Sequence, residues 1–469
     1  MGGDTWSGDA VGLVEAFRSG ERSPVEELEA SFVAVDASDL NAVCFEDRDA
    51  ARSAAVSADV TLPFGGVPIG VKELTQVEGW PDTEASVPFR DRVATHTATM
   101  VQRIVALGGA VLAGQTTASE FGGVNLNRTK LHGTTHNPWR HGTGPGGSSG
   151  GSASAVAGGL YSIATGGDGG GSIRIPAGFT GLVGLKGTYG RIPRGPRLEL
   201  GNLTTSTGCM ARSVRDTARW FDVTNGHDPR DPLSLPRVEG WEAGLGSHLD
   251  GLRGARVAVV DDWGGAVVSP VMWELLEEAA TLLIGDVGLR RVDGVDTHVP
   301  SMGGAWSVSG MLCIAAELGD RWPDCADDLT PQMAFAMRST VGRYDATARA
   351  RVEARRTEVN EAMARIFDTA DGGVDFVITA TNPDVAFNAD GPLPSVFGGI
   401  EAGPGNNGKL TFPANLHGNP AISVPAGFVD GLPIGLQIVG RHFSEPLLLD
   451  LALTMERNRP WPLTAKSMG

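Results

Sequence analysis

The stretch Gly146-Gly147-Ser148-Ser149-Gly150-Gly151-Ser152, followed by Asp168-Gly169-Gly170-Gly171-Ser172-Ile173-Arg174, decides how the rest of the chain is read. Three ordinary readings of such a segment meet obstacles. A flexible linker would run on into solvated sequence, yet Ala153 to Ala157 continues as an apolar helix. A dinucleotide loop fits Gly142, Gly144 and Gly147 as GxGxxG, but that motif must follow a strand, and Trp139-Arg140-His141 does not read as one. A hydrolase elbow fits Gly146, Ser148 and Gly150 as GxSxG, but needs a strand before it and an acid and a histidine downstream. His227, His248, His298, His417 and His442 stand in no telling context.

The second loop points to acyl transfer. Three glycines before Ser172 let the backbone approach closely and take unusual conformations. Their N–H groups can converge beside the serine hydroxyl, where fixed donors stabilise a tetrahedral oxyanion by about 2.7–4 kcal/mol each. Serine alone is a weak nucleophile and needs a base. Lys72 ends the small, apolar run Gly65-Gly66-Val67-Pro68-Ile69-Gly70-Val71-Lys72. Context leaves two readings of it: a strand-end lysine turned to solvent, or a buried base whose pKa has fallen through desolvation.

Working outward, Ser23-Pro24-Val25-Glu26 is a capping box with proline at the first helical position, and Glu27 to Ala34 carries that helix. Pro68 to Lys72 reads as a buried strand. A helix from about Thr97 places Met100, Val101, Ile104 and Val105 on one face, Gly108-Gly109 ends it, and Ala110 to Ala113 is a strand. Arg256 to Val260 is a strand, and Ser269-Pro270 opens a helix with Met272, Leu275, Leu276 and Ala279 apolar. Strands follow at Val374 to Thr379, Ala421 to Pro425 and Leu432 to Val439. A closing helix, Leu447 to Met455, is capped by Ser444. Helix–strand alternation predicts parallel α/β construction and one large α/β core. Residues 225–330 carry Pro, Gly and Asp clusters and suit substrate-specific insertions. Trp306, Met311 and Trp322 either line a pocket or fill the core, core being the preferred reading.

Composition narrows the function. Hydrophobic residues at 41% suffice for a packed core, and a net charge of -17 opposes nucleic-acid or anionic-membrane partners. Cys44, Cys209, Cys313 and Cys325 form no CxxC and no metal-site spacing, as expected of reduced thiols in the cytoplasm. Asp4, Asp9, Glu15 and Arg18 interrupt any signal-peptide core, and no window approaches the ~18 apolar residues of a membrane span. His132 and His136 have i,i+4 spacing with His141 nearby, but Gly133 and Asn137-Pro138 argue against a helix there, so no metal site is expected.

Gly65 to Lys72, Pro145 to Ser152 and Asp168 to Arg174 together resemble the amidase signature family. So do Asn137-Pro138-Trp139, Gly184-Leu185-Lys186 with Tyr189-Gly190-Arg191, Pro420 to Pro425, Gly431-Leu432-Pro433 and Gly435-Leu436-Gln437, in family order over most of the chain. The resemblance implies a single domain, 1–469, whose mixed central β-sheet is covered on both faces by α-helices. Its signature core spans about 60–225, a variable substrate-side segment about 226–370, and the C-terminal part of the core about 371–460. It further implies a triad of Lys72 as base, Ser148 as bridge and Ser172 as nucleophile, with a cis Gly147–Ser148 peptide. Gly169, Gly170, Gly171 and Ser172 supply candidate oxyanion donors, Asp168 and Arg174 support the loop, and no cofactor is required.

The implied reaction is hydrolysis of a small-molecule amide, with an esterase side activity and a possible homodimer. Two alternatives stand: a glutaminase component of the glutamyl-tRNA amidotransferase A type, or a binding protein with a relic site. Gly122, Gly123 and Val124 are either an acyl-pocket wall or a tight turn. Gly169, Gly187 and Gln115 depart from the family pattern, which leaves the triad intact and bears on substrate preference. At Gly169, where a larger residue is usual, the loop is expected to be more mobile.

Overall fold

The computed structural model describes residues 4–198, 203–303 and 305–465; the side chain of Trp306 lies outside the description. Two sheets form the framework. In spatial order the first contains Val43–Phe45, Val111–Thr116, Pro68–Lys72, Ile163–Asp168 and Ser206–Ala211. Its three inner strands are parallel and its edges antiparallel. The second runs Arg290–Arg291, Arg256–Val259, Phe376–Ala380, Leu432–Gly440, Ala421–Val429, Gly184–Lys186. Val183 and Ala211 exchange two backbone hydrogen bonds, 2.9 and 3.2 Å, and so join the two into one mixed sheet.

Runs such as Phe376-Val377-Ile378-Thr379-Ala380 are buried at every position, which is why they read as continuous rather than alternating. Ile378 pairs with Val259 on one side and Ile438 on the other. Helices Pro270–Val287 and Glu445–Asn458 pack against the late strands, and Arg174–Thr180 packs against Leu432–Gly440. Helices Gly150–Ala157 and Arg174–Thr180 are buried along their whole length. Among the described residues no helix is long and apolar enough to cross a membrane.

The capping box at Ser23 forms as expected, with Glu26 returning to the Ser23 backbone. Other local expectations shift. The fourth helix is Thr99–Ala106 and leaves Val105 40% exposed, because its core-facing stripe is Met100, Val101 and Ile104. The following strand is Val111–Thr116, and Leu275 faces outward. Ser444 does not cap the last helix with its side chain; its hydroxyl donates to the Arg441 carbonyl at 2.7 Å.

Helix Arg174–Thr180 lies close on its strand because glycine meets glycine there. A Cβ at Gly435 would stand 2.7 Å from Gly178 Cα. Gly435→Ala is expected to lose about 1–3 kcal/mol of stability in denaturant unfolding through overpacking.

Candidate active site

Lys72 is the last residue of an inner strand, with parallel neighbours on both sides. Its backbone N–H donates to Thr165 Oγ1 at 2.8 Å. The side chain is not turned to solvent: the residue is 3% exposed. Nζ lies 2.7 Å from Ser148 Oγ, 3.0 Å from Ser149 Oγ and 3.5 Å from the Gly167 carbonyl. Burial pushes this amine down to about 7, against the opposing pull of Asp168 and Glu84.

Ser148 sits two residues before helix Gly150–Ala157, and the Gly147–Ser148 peptide is cis as the resemblance implies. The Gly147 N–H donates to Asn125 Oδ1 at 2.8 Å, and the Ser148 carbonyl accepts from Ser119 N–H at 3.2 Å. Ser149 N–H donates to the Ser172 carbonyl at 3.3 Å, so the two serine loops are stitched together.

Asp168 and Arg174 hold the second loop. The carboxylate accepts backbone N–H groups of Gly171 at 2.7 Å and of Ile173 and Arg174 at 3.3 Å. The guanidinium meets it at 2.9 and 3.0 Å, with both side chains fully buried. Burial alone would raise this carboxyl; Arg174 and the Asn415 amide outweigh it and hold it well below the usual range. Arg174 also donates to the Thr411 carbonyl at 3.1 Å, Gln437 Oε1 at 2.6 Å and Asn415 Oδ1 at 2.5 Å.

One predicted oxyanion donor is corrected by this network. The Gly171 N–H is committed to Asp168, which leaves Gly169, Gly170 and Ser172 as candidates. Gly171 is needed for another reason: its φ is +126°, and a Cβ there would fall 2.3 Å from Thr411 Oγ1. That hydroxyl donates to the Gly170 carbonyl at 2.6 Å. At Gly169, Thr205 Oγ1 stands 3.0 Å from where a Cβ would be, so part of the space for a larger residue is occupied.

Gly122 and Val124 lie beside the serine loop, while Gly123 borders Met333. A Cβ on Gly122 would lie 3.3 Å from Ser148 Oγ and 3.2 Å from Leu74, and one on Gly123 would lie 2.5 Å from the Met333 methyl. The Val124 carbonyl stands 2.9 Å from where a Cβ on Gly147 would be. Met311 and Met333 belong to an apolar cluster with Phe89 and Ile314, against which Phe121 and Trp322 pack. Met311 thus belongs to a buried apolar cluster that also borders Gly123. Glu120 fastens this cluster: its carboxylate accepts from Ser86 Oγ at 2.7 Å, Thr330 N–H at 2.8 Å and Thr330 Oγ1 at 2.6 Å.

Sequence reasoning missed Ser149, Thr165, Asn125, Thr411 and Asn415. Ser149 carried a signal, since it adjoins Ser148 in the same motif. Gln437, quoted only as part of a motif, is a lone polar residue inside the buried strand Leu432–Gly440, and its partner is Arg174.

Known proteins resemble this chain along nearly its whole length. The family model described as Amidase matches residues 26–449. The A-type chain of the glutamyl-tRNA(Gln) amidotransferase of Deinococcus radiodurans is 34% identical, covering 95% of this chain and 96% of that protein. A bacterial aryl acylamidase of the amidase signature family superposes with TM-score 0.87 at 27% identity, covering 98% of both chains. 6-Aminohexanoate cyclic dimer hydrolase superposes with TM-score 0.85 at 30% identity, over 98% of this chain and 99% of that one. The chain therefore belongs to the amidase family and carries its mixed α/β fold.

Proposed function

We propose that this protein hydrolyses a carboxylic amide through an acyl-enzyme on Ser172, with Lys72 and Ser148 as the proton relay. The observation that carries the reading is the hydrogen-bond pattern around Lys72 Nζ. A neutral amine has two N–H donors and one lone pair. Gly167 offers a carbonyl that can only accept. Ser149 Oγ accepts from Nζ while its own proton is directed to Gly167. The remaining neighbour is Ser148 Oγ, 2.7 Å from Nζ; once the amine is neutral, its lone pair is the acceptor for that hydroxyl's proton.

The reaction then runs in two halves. Lys72 takes the Ser148 proton as Ser148 takes that of Ser172, and Ser172 Oγ attacks the amide carbon. The N–H groups of Gly169, Gly170 and Ser172 receive the developing oxyanion. The relay returns the proton to the leaving nitrogen, the C–N bond breaks, and the amine or ammonia departs. Water enters, gives its proton to the relay and cleaves the ester on Ser172. An ester substrate follows the same path with an alkoxide leaving group. Four free cysteines suit a reducing, cytoplasmic setting.

The acyl group we assign is apolar, because Leu74, Met333 and Met311 flank the glycine strip beside Ser148. A second reading, a glutaminase that works inside a complex with partner chains, is favoured by the amidotransferase relative. Initial-rate measurements on an anilide, an alkanamide and glutamine separate them. Faster hydrolysis of the apolar amides by the isolated chain supports the first. Glutaminase activity that rises on adding the other amidotransferase chains supports the second.

Three variants test the machinery. Ser172→Ala is expected to lower kcat on the order of 10⁶-fold, and Lys72→Ala by about 10²–10⁴-fold. Thr411→Val removes the hydroxyl that holds Gly170. It should cost about 1 kcal/mol in denaturant unfolding and lower kcat with KM little changed.

A further inference from the structure

The histidines at 132, 136 and 141 do not act together. His136 stacks on His141 with ring centroids 3.9 Å apart. His132 turns instead to Glu73, its Nε2 2.6 Å from Oε1. Cys44 completes the group: one ligand atom from each of Cys44, Glu73 and His132 lies within 4.8 Å of the other two.

Three separate segments make this cluster. Cys44 is in the edge strand Val43–Phe45. Glu73 follows Lys72 directly and opens the turn after the strand. Lys72 meets the serines, while Glu73 meets Thr83 and His132. His132 lies in the turn between Arg128–Thr129 and Gly133–Thr134. Glu73 is 1% exposed. Its Oε1 accepts from the Thr83 hydroxyl and meets His132, but its Oε2 is buried with no hydrogen-bond partner among the described residues. A buried carboxylate oxygen without a donor needs a partner, and a cation is one that supplies it. Among the described residues Cys44 Sγ makes one weak hydrogen bond, 3.4 Å to the Gln115 carbonyl.

We propose that Cys44, Glu73 and His132 bind one divalent transition-metal ion, with zinc the best match to a thiolate, an imidazole and a carboxylate. Ligand atoms around tetrahedral zinc lie about 3.3–3.7 Å apart, so His132 Nε2 and Glu73 Oε1, 2.6 Å apart here, separate on binding while the wider gaps of the cluster, within 4.8 Å, close. The Cys44 thiol gives its proton to solvent, the proton of the Glu73–His132 hydrogen bond passes to His132 Nδ1, and that hydrogen bond is replaced by two metal bonds. The His132 side chain is 20% exposed, which leaves an entry path and a fourth position for water. The ion ties together residues 44, 73 and 132. The proposal is independent of the catalytic reading.

Cobalt(II) titration of the full chain, stripped with chelator and desalted, tests it by absorption. One equivalent should bind with a near-ultraviolet thiolate-to-cobalt band and intense tetrahedral bands in the visible, and zinc should displace it. Cys44→Ser should abolish the thiolate band, and His132→Ala should weaken binding at least tenfold. His136→Ala should change neither. Far-ultraviolet circular dichroism verifies that the variants are folded, and zinc should raise the melting temperature of the wild type but not of Cys44→Ser. Absence of saturable binding, binding without the thiolate band, or the same band in Cys44→Ser would overturn the assignment.

Discussion

Keeping Lys72 out of water is the constraint on which the rest of the structure depends. An amine at that position is useful as a base only while it is neutral, and neutrality requires that no solvent and no close carboxylate restore the charge. The fold meets this by ending Pro68–Lys72 between two parallel strands, so that their C-terminal ends rise to one level. Ser148, Ser149 and the Gly167 carbonyl then close over Nζ. Asp168 lies near enough to pull the lysine pKa up, but its charge is already spent on Arg174.

That ion pair does the positioning. A buried pair of this kind contributes little net stability in itself, yet removing one partner costs about 3–5 kcal/mol because the other is left unpaired. Here its effect is geometric. Asp168 gathers the N–H groups of Gly171, Ile173 and Arg174 and shapes the loop that carries Ser172. Arg174 reaches across to Thr411, Asn415 and Gln437. The C-terminal part of the chain therefore sets the conformation of a loop far upstream of it in sequence. The same logic explains the small side chains: Gly435 admits helix Arg174–Thr180, and Gly171 admits Thr411.

Much of this was legible in the sequence, for local reasons. The buried strands are continuous apolar runs, the capping box at Ser23 announces its helix, and two glycine-rich loops mark Ser148 and Ser172. Family resemblance supplied Lys72, which context left divided between base and surface residue. What escaped was of longer range. Nothing near Thr411 or Asn415 says that they hold a loop at 168–174. Nor does Gly171 reveal that its N–H is taken by Asp168 rather than left for an oxyanion. Val105 and Leu275 point outward against expectation, because apolar character alone does not say which side of a helix faces the core. The grouping of His132 with Cys44 and Glu73 follows from sheet pairing, and no spacing rule contains it.

The central claim is that Ser172 is made nucleophilic by Lys72 through Ser148. Reaction with a serine-directed fluorophosphonate, followed by intact mass and peptide mapping on the wild type and on Lys72→Ala, tests it most directly. The account predicts a single adduct on Ser172, formed much more slowly in the lysine variant. Labelling of another residue, or labelling of Ser172 at the same rate without the lysine, would contradict it.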